Sequence, residues 1–177
     1  GRIAASDGTS QWISGPESRA HAHVLRSSID AILVGTGTVL SDNPSLTARK
    51  PDGSLYSHQP LRVVLGNSMI PSDSAIFDGS AETIRVRNHD LTVLLAELYA
   101  RGVKHLLVEG GPTVASAFVR AGLVDEFVTY LAPQLIGGPG VAVTDLGVSS
   151  MSSAYQLTFK EVVPMGADLY IRAARSN

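Results

Sequence analysis

The chain contains no cysteine, which excludes disulfides, thiolate zinc sites and a cysteine nucleophile together. Charge is scarce as well. Only 17% of residues are charged, and 14 basic against 16 acidic side chains leave a net charge of −2. Such a balance makes no field that gathers nucleic acid or anionic lipid, so neither is an expected partner. No run of about 18 consecutive apolar residues occurs, as a membrane-spanning helix requires. The N-terminus also lacks the charged-then-apolar pattern of a signal peptide. What remains, 177 residues that are 44% apolar, describes one globular domain expected in the cytoplasm. A domain of this size buries about two-thirds of its unfolded surface.

Strand and helix patterns alternate along the chain, which predicts a three-layer α/β fold. Gly1 to Ala5 reads as the tail of a strand whose beginning is missing, so the chain is expected to be a fragment. Ser14-Gly15-Pro16-Glu17 is a helix start, and the helix running to about Ser28 is expected to bury Ala20, Val24 and Leu25. Asp30 to Val34 reads as a buried strand ending at Gly35-Thr36-Gly37-Thr38. Arg62 to Leu65 is another strand, and Ala75 to Phe77 and Thr83 to Val86 are two further short ones. Asp90 caps a helix with Leu91, Leu94, Leu95 and Leu98 on one side and Gly102 as its terminator. Asp125 to Ala132 is a strand, and Gln156 to Val162 with Ala167 to Ala174 form an antiparallel hairpin, predicting a mostly parallel sheet that ends in an antiparallel pair. The long polar connection from Ser41 to Pro60 is a candidate functional loop.

The most informative stretch is Glu109-Gly110-Gly111-Pro112-Thr113-Val114-Ala115-Ser116. It joins the end of an apolar strand, a glycine pair and the first turn of a helix. Pro112 suits the first helical position, where no N–H is needed. The glycines bring bare backbone close to a ligand, and the free N–H groups and positive dipole end favour a phosphate without any lysine. The spacing is neither a three-glycine dinucleotide fingerprint nor a P-loop. A tight turn alone is the plainer use of such a pair.

Ser10-Gln11-Trp12-Ile13, Gly35 to Pro44 with Leu46, Thr47 and Arg49, Arg62-Val63-Val64-Leu65, and Glu109 to Ala117 are read as four places where strands end, converging on one edge of the sheet. Together with Ala121 to Glu126 and Ala132 to Gly138, they follow one another at spacings that resemble the reductase domain of bacterial riboflavin-biosynthesis deaminase/reductases. The resemblance covers nearly the whole chain. It implies a dihydrofolate-reductase-like fold, a homodimer, and NADPH-dependent reduction of 5-amino-6-(5-phosphoribosylamino)uracil to its ribitylamino product. Hydride passes to ribose C1′, so the protein mainly has to position two ligands and manage a proton.

The same resemblance implies that Trp12, Thr38, Asp42, Asn67 and the segment Gly110, Gly111, Pro112, Thr113, Val114, Ala115, Ser116 and Ala117 contact NADPH. It also implies that Ser10, Arg26, Leu46, Arg49 and Glu109 contact the phosphoribosyl pyrimidine, with Glu109 and Asp42 as the catalytic carboxylates. The two guanidinium groups suit a 5′-phosphate, to which each can donate two parallel hydrogen bonds. Glu109 suits sugar hydroxyls, amines or a protonated imine. From the residues alone, Trp12 also reads as a partly buried aromatic, Arg26 as a cation at a helix end, and Asp42-Asn43-Pro44 as a turn. His21, His23, His58, His89 and His105 lack ligand spacing and are read as structural, with no metal expected.

Two departures from the family pattern stand out. The Lys-containing strand and Ser-Leu-Asp that usually precede Gly-Arg-Ile-Ala are absent, and Asn67 stands where relatives often carry serine. Arg85 or Arg87 is then a candidate to meet the 2′-phosphate of NADPH. Relatives often carry a zinc deaminase domain ahead of this one, and none of its signature is present here. The alternatives that remain open are a reductase of the diaminopyrimidine before deamination, a dihydrofolate reductase, and a non-catalytic nucleotide-binding module.

Overall fold

Four short runs rich in leucine, isoleucine and valine pair as a parallel sheet. In the computed structural model, which describes residues 1–176, they are β1 (Ala31–Gly35), β2 (Leu61–Leu65), β3 (Thr83–Val86) and β4 (Leu106–Val108), in the order β3-β2-β1-β4. β1 is central and buried at every residue, as expected of a parallel strand covered on both faces. β4 lies at the edge and is only half-buried. Ile32 and Val34 of β1, Val64 of β2 and the partly buried Leu107 of β4 share one core cluster with Val39, Leu46, Ile70 and Ile76.

These strands belong to one of two compact units, 20–115, and the other comprises 1–19 with the chain from Ser116 on. In the first unit, α2 (Thr36–Asp42) and α3 (Leu91–Ala100) follow β1 and β3. The α3 start is as read: the Asp90 carboxylate accepts from the Thr92 and Val93 N–H groups. Leu94 and Leu98 are its buried residues, and Gly102 follows at φ +90°. In the second unit, β5 (Glu126–Leu131), β6 (Leu157–Met165) and β7 (Asp168–Arg175) form an antiparallel sheet in the order β5-β7-β6. Two helices, α1 (Pro16–Ser27) and α4 (Pro112–Arg120), run across the divisions between the units' segments.

The fold class is the α/β arrangement read from the sequence, but the antiparallel hairpin joins β5 in a sheet of its own and does not extend the parallel one. Four local readings are corrected. Ala75–Phe77 is a single 3-10 turn, closed by bonds from the Phe77 and Asp78 N–H groups to Ser74 and Ala75; its apolar residues are there to bury Ile76. Residues 1–5 form no strand, and only Arg2 makes an isolated bridge, to Val141. Ser10 to Ile13 is a turn closed by Ile13 N–H on the Ser10 carbonyl.

The fourth concerns α1, which does not bury Ala20 or Val24. Both are exposed, whereas Ser18 is buried and Leu25 packs on the core. At 100° per residue Ser18 and Leu25 lie on one side, with Ala20 and Val24 roughly opposite. Beyond β1, the glycine-threonine run read as the strand's end winds directly into α2.

Candidate functional site

Because β1, β2, β3 and β4 are parallel, their carboxyl ends lie on one edge of the sheet, the edge where ligands bind in open α/β sheets. β4 delivers Glu109 there, its N–H still bonded to the Leu33 carbonyl of β1. Arg26, in the last turn of α1, meets Glu109 as a fork: Nε donates to Oε1 at 2.8 Å and Nη2 to Oε2 at 2.6 Å. The two side chains are 17% and 25% exposed. A bidentate pair of this kind fixes orientation as well as charge.

The two glycines after Glu109 have different reasons to be glycine. A Cβ on Gly110 would lie 2.3 Å from the Val34 Cα, so Gly110 exists to let this segment press against β1. Gly111 has φ +53°, and a Cβ there would stand 3.1 Å from the Thr38 hydroxyl. The Gly111 backbone and Thr38 Oγ1 therefore face each other. Pro112 opens α4 at the first helical position, where the next N–H groups have no intrahelical acceptor. Bare backbone, a hydroxyl and helix-start donors together suit a pyrophosphate. Val114 packs toward Gly35, and Thr113 is exposed. Ser116 is fully buried, and its hydroxyl accepts from the Thr144 N–H at 2.8 Å. Ala115 and Ala117 are partly buried.

The connection after α2 is ordered by side chains that reach across it. Arg62 of β2 is wholly buried; its guanidinium donates to the Ser45 carbonyl at 3.0 Å, Asp78 at 2.9 Å and Thr83 at 2.9 Å, and to the Ala81 carbonyl. Gln59 uses its amide like a piece of strand, accepting from the Ala48 N–H and donating to the Ala48 carbonyl. His23 Nδ1 is 3.0 Å from the Thr47 carbonyl and 3.3 Å from the Arg49 nitrogen. Arg26 Nη1 donates to the same Thr47 carbonyl at 3.3 Å. Burial, followed by the charges of Arg26 and Arg49, holds the His23 imidazole below its ordinary range.

The site residues named from the sequence fall into place unevenly. Arg26, Glu109 and the backbone of Thr47–Arg49 are brought together, as are Thr38 and Gly111. Leu46 has φ +53° with its side chain buried in the core, so its backbone is what it offers a ligand. Asp42 closes α2 on the exposed side. Asn67, after β2, has its amide 3.4 Å from His89 Nε2. Arg85 on β3 donates to the Ser68 carbonyl, while its Nε is buried without a partner.

Ser10 and Trp12 lie in the other unit. Trp12 is not a buried aromatic: it is 66% exposed, with the Arg19 guanidinium 4.5 Å over its ring. In that unit the buried Asp168 carboxylate accepts from the Gly15 N–H at 2.7 Å and the Ser18 hydroxyl at 2.6 Å, tying down the start of α1. Arg62, Gln59 and Asp168 were not singled out from the sequence. For His23 a signal was there, since it stands three residues before Arg26 on one helix. Among the described residues no group of three or more His, Asp or Glu side chains is placed to hold a metal ion, and no helix is long and apolar enough to cross a membrane.

Comparison with known proteins shows what the chain as a whole resembles. The family described as RibD C-terminal domain matches residues 1–171. The riboflavin biosynthesis protein RibD of Mycobacterium tuberculosis is 48% identical over 171 residues, which are 97% of this chain and 50% of that protein. A structure of Acinetobacter baumannii RibD superposes with a TM-score of 0.85 over all of this chain and 55% of the other; at 24% identity it shows the fold. The crystal structure of a diaminohydroxyphosphoribosylaminopyrimidine deaminase/5-amino-6-(5-phosphoribosylamino)uracil reductase from Thermotoga maritima is 26% identical. It superposes with a TM-score of 0.81 over 99% of this chain and 53% of that one. The chain thus spans about half the length of the curated relatives it matches. Matched by that family along residues 1–171 and by relatives at 48% identity, the chain that carries this glycine-threonine cradle and carboxylate-guanidinium pair belongs to the RibD C-terminal domain family.

Proposed function

We propose that this chain acts as an NADPH-dependent reductase that converts 5-amino-6-(5-phosphoribosylamino)uracil to 5-amino-6-(5-phosphoribitylamino)uracil in riboflavin biosynthesis. The observation that carries the reading is the continuity of two ligand sites along one stretch of backbone. Glu109, paired with Arg26, is separated by a single glycine from the positive-φ Gly111 that faces Thr38 at the start of α4. A sugar-binding carboxylate and a phosphate-binding helix start are thereby held next to each other.

NADPH, when bound, supplies the hydride that reduces ribose C1′. The chain's own contribution is placement. Gly111, Thr113 and the α4 start receive the pyrophosphate, with Thr38 and Asp42 beside them and Trp12 as a further cofactor contact. Asn67 and Arg85, at the ends of β2 and β3, receive the adenosine phosphate; the unpartnered Arg85 Nε is a buried donor in need of an acceptor. Arg49 and Arg26 receive the substrate phosphate, Ser10 and the Leu46 backbone line the substrate, and Glu109 orients the sugar end and holds the transferred proton nearby. The domain works as a homodimer in the cytoplasm, and in the natural protein it is joined to a deaminase domain, as the doubled length of the relatives supports.

The test is NADPH oxidation by the purified chain with three substrates: the aminouracil, its diaminopyrimidine precursor and dihydrofolate. Turnover with the aminouracil and a product two mass units heavier supports the reading. Turnover with the precursor alone moves the reaction to before deamination, and cofactor binding without any turnover makes the chain a nucleotide-binding module.

A further inference from the structure

His23 and Arg26 stand one helical turn apart on α1, and both reach one carbonyl, that of Thr47. The backbone N–H of Arg49 is directed at the same imidazole nitrogen, Nδ1. A ring nitrogen carries either a proton or a lone pair, so Nδ1 serves the Thr47 carbonyl or the Arg49 N–H and never both at once. Whether Nδ1 carries a proton therefore decides which of two grips holds the segment from Thr47 to Arg49: the neutral ring can take either form by its choice of tautomer, whereas the cation must donate to the Thr47 carbonyl.

The charged groups around the ring are Arg26 on its own helix, Arg49 on the loop and Glu109 at the end of β4. Glu109 is occupied in its fork with Arg26, and the arginines together with burial favour the neutral ring. A phosphate dianion at the arginines inverts that field, because an opposite charge within about 4–6 Å favours the charged form of a base.

We infer that His23 is a further substrate-positioning residue, which takes up a proton from solvent when a phosphate dianion binds at Arg26 and Arg49 and then holds the Thr47 carbonyl through Nδ1–H. This rests on the proposed use of Arg26 and Arg49 as the substrate's phosphate site. The consequence is a loop held at the Thr47 carbonyl, with the Arg49 N–H released from the imidazole, when the phosphate is present.

The experiment follows the five histidine ring signals of the full chain by NMR against pH, with and without ribose 5-phosphate. His23→Asn assigns the signal by its disappearance while keeping a polar atom near the Nδ1 position. The titration runs from about pH 4.5 to pH 9, so that the midpoint of the free imidazole is covered, and the sugar phosphate, with a second pKa of about 6, is a dianion over the upper part of that range. The His23 midpoint is expected to rise by about one pH unit or more at saturating ribose 5-phosphate. In Arg49→Ala that rise should vanish at the same ligand concentration. The KM for the phosphorylated pyrimidine should increase with pH in the parent and be flat in His23→Asn. An unchanged His23 midpoint, while other signals move on adding ribose 5-phosphate, overturns the role of His23 and leaves the phosphate site standing. If no signal moves and Arg49→Ala leaves the KM unaltered, the phosphate site itself falls, and the inference with it.

Discussion

The pairing of Glu109 with Arg26 changes what each residue is expected to do. Read from the sequence, both are ligand contacts in their own right; in the structure each is held by the other through two charge-assisted bonds. Replacing Glu109 by Gln keeps the shape but leaves Arg26 with a neutral partner, so the carboxylate's charge is lost where the sugar is expected while the backbone donors of the α4 start stay in place. The kcat of Glu109→Gln is expected to fall by one to three orders of magnitude, about 1.4–4 kcal/mol of transition-state stabilisation, with NADPH affinity little changed. Single-turnover hydride-transfer rates measure it. A rate equal to the parent's would make Glu109 a strand-end carboxylate whose task is to position Arg26.

At the scale of elements, the strand-glycine-helix passage from β4 to α4 was legible because each part has its own chemistry: apolar run, glycine pair, proline at the first turn. What could not be read was the division of labour between the glycines, since it depends on how closely β1 approaches. Gly110→Ala forces a methyl into the backbone of Val34, and overpacking of this kind costs about 1–3 kcal/mol or more. Gly111→Ala meets a flexible hydroxyl and a left-handed φ, a cost of about 1–2 kcal/mol. Gly110→Ala is therefore expected to lower Tm strongly and to lose NADPH binding only in step with the folded fraction. Gly111→Ala should weaken NADPH binding while most of the protein stays folded. Thermal melts alongside fluorescence titration separate the two, and equal losses in both variants would remove Gly111 from the cofactor site.

The same scale explains why the loop after α2 was recognised as important but not understood. Its polar composition marks a loop, yet its path is set by distant residues: Arg62 from β2, Gln59 from its own far end, and His23 from α1. An arginine in a run such as Leu-Arg-Val-Val-Leu reads as strand with one outward charge, whereas here it is wholly buried and paired with Asp78. Ser80 and Arg62 stabilise the Asp78 carboxylate, which sits at about 2, below its ordinary value of 3.8. Between those values the unfolded chain binds the proton more readily than the folded one, so stability falls as pH drops through about 4 and the contribution is gone below about 2. Urea unfolding from pH 5 to pH 2 should show this decline in the parent and a shallower one in Asp78→Asn. Parallel slopes would mean that Arg62 is satisfied by its carbonyl partners alone.

For the whole molecule, the open question is what covers the antiparallel sheet. The hairpin was legible from the alternation of its two runs, but the exposure of β6 was not, because a sequence shows which residues are apolar and not which of them the chain leaves uncovered. Eight of the nine β6 residues are exposed in the single chain, among them Leu157, Phe159, Val162 and Val163, and Leu169 of β7 joins them. Phe159 alone is 69% exposed. β6 is also the last strand of its sheet, so its outer side has no strand partner among the described residues, and its pairing with β7 has a register irregularity between Phe159 and Glu161. Uncovered apolar side chains along an unpaired edge are the features that a subunit interface removes from water. If the proposed homodimer uses this strand, Phe159→Lys places a charge in the interface. The variant should then elute and scatter light as a monomer at concentrations where the parent is a dimer, with an unchanged far-ultraviolet circular dichroism spectrum. Loss of activity in step with dissociation would show that the site needs both copies, and full activity in the monomer would show that each chain is catalytically complete. A parent that is monomeric at all concentrations would overturn the homodimer, and a dimer that persists in Phe159→Lys would place its interface elsewhere than on β6.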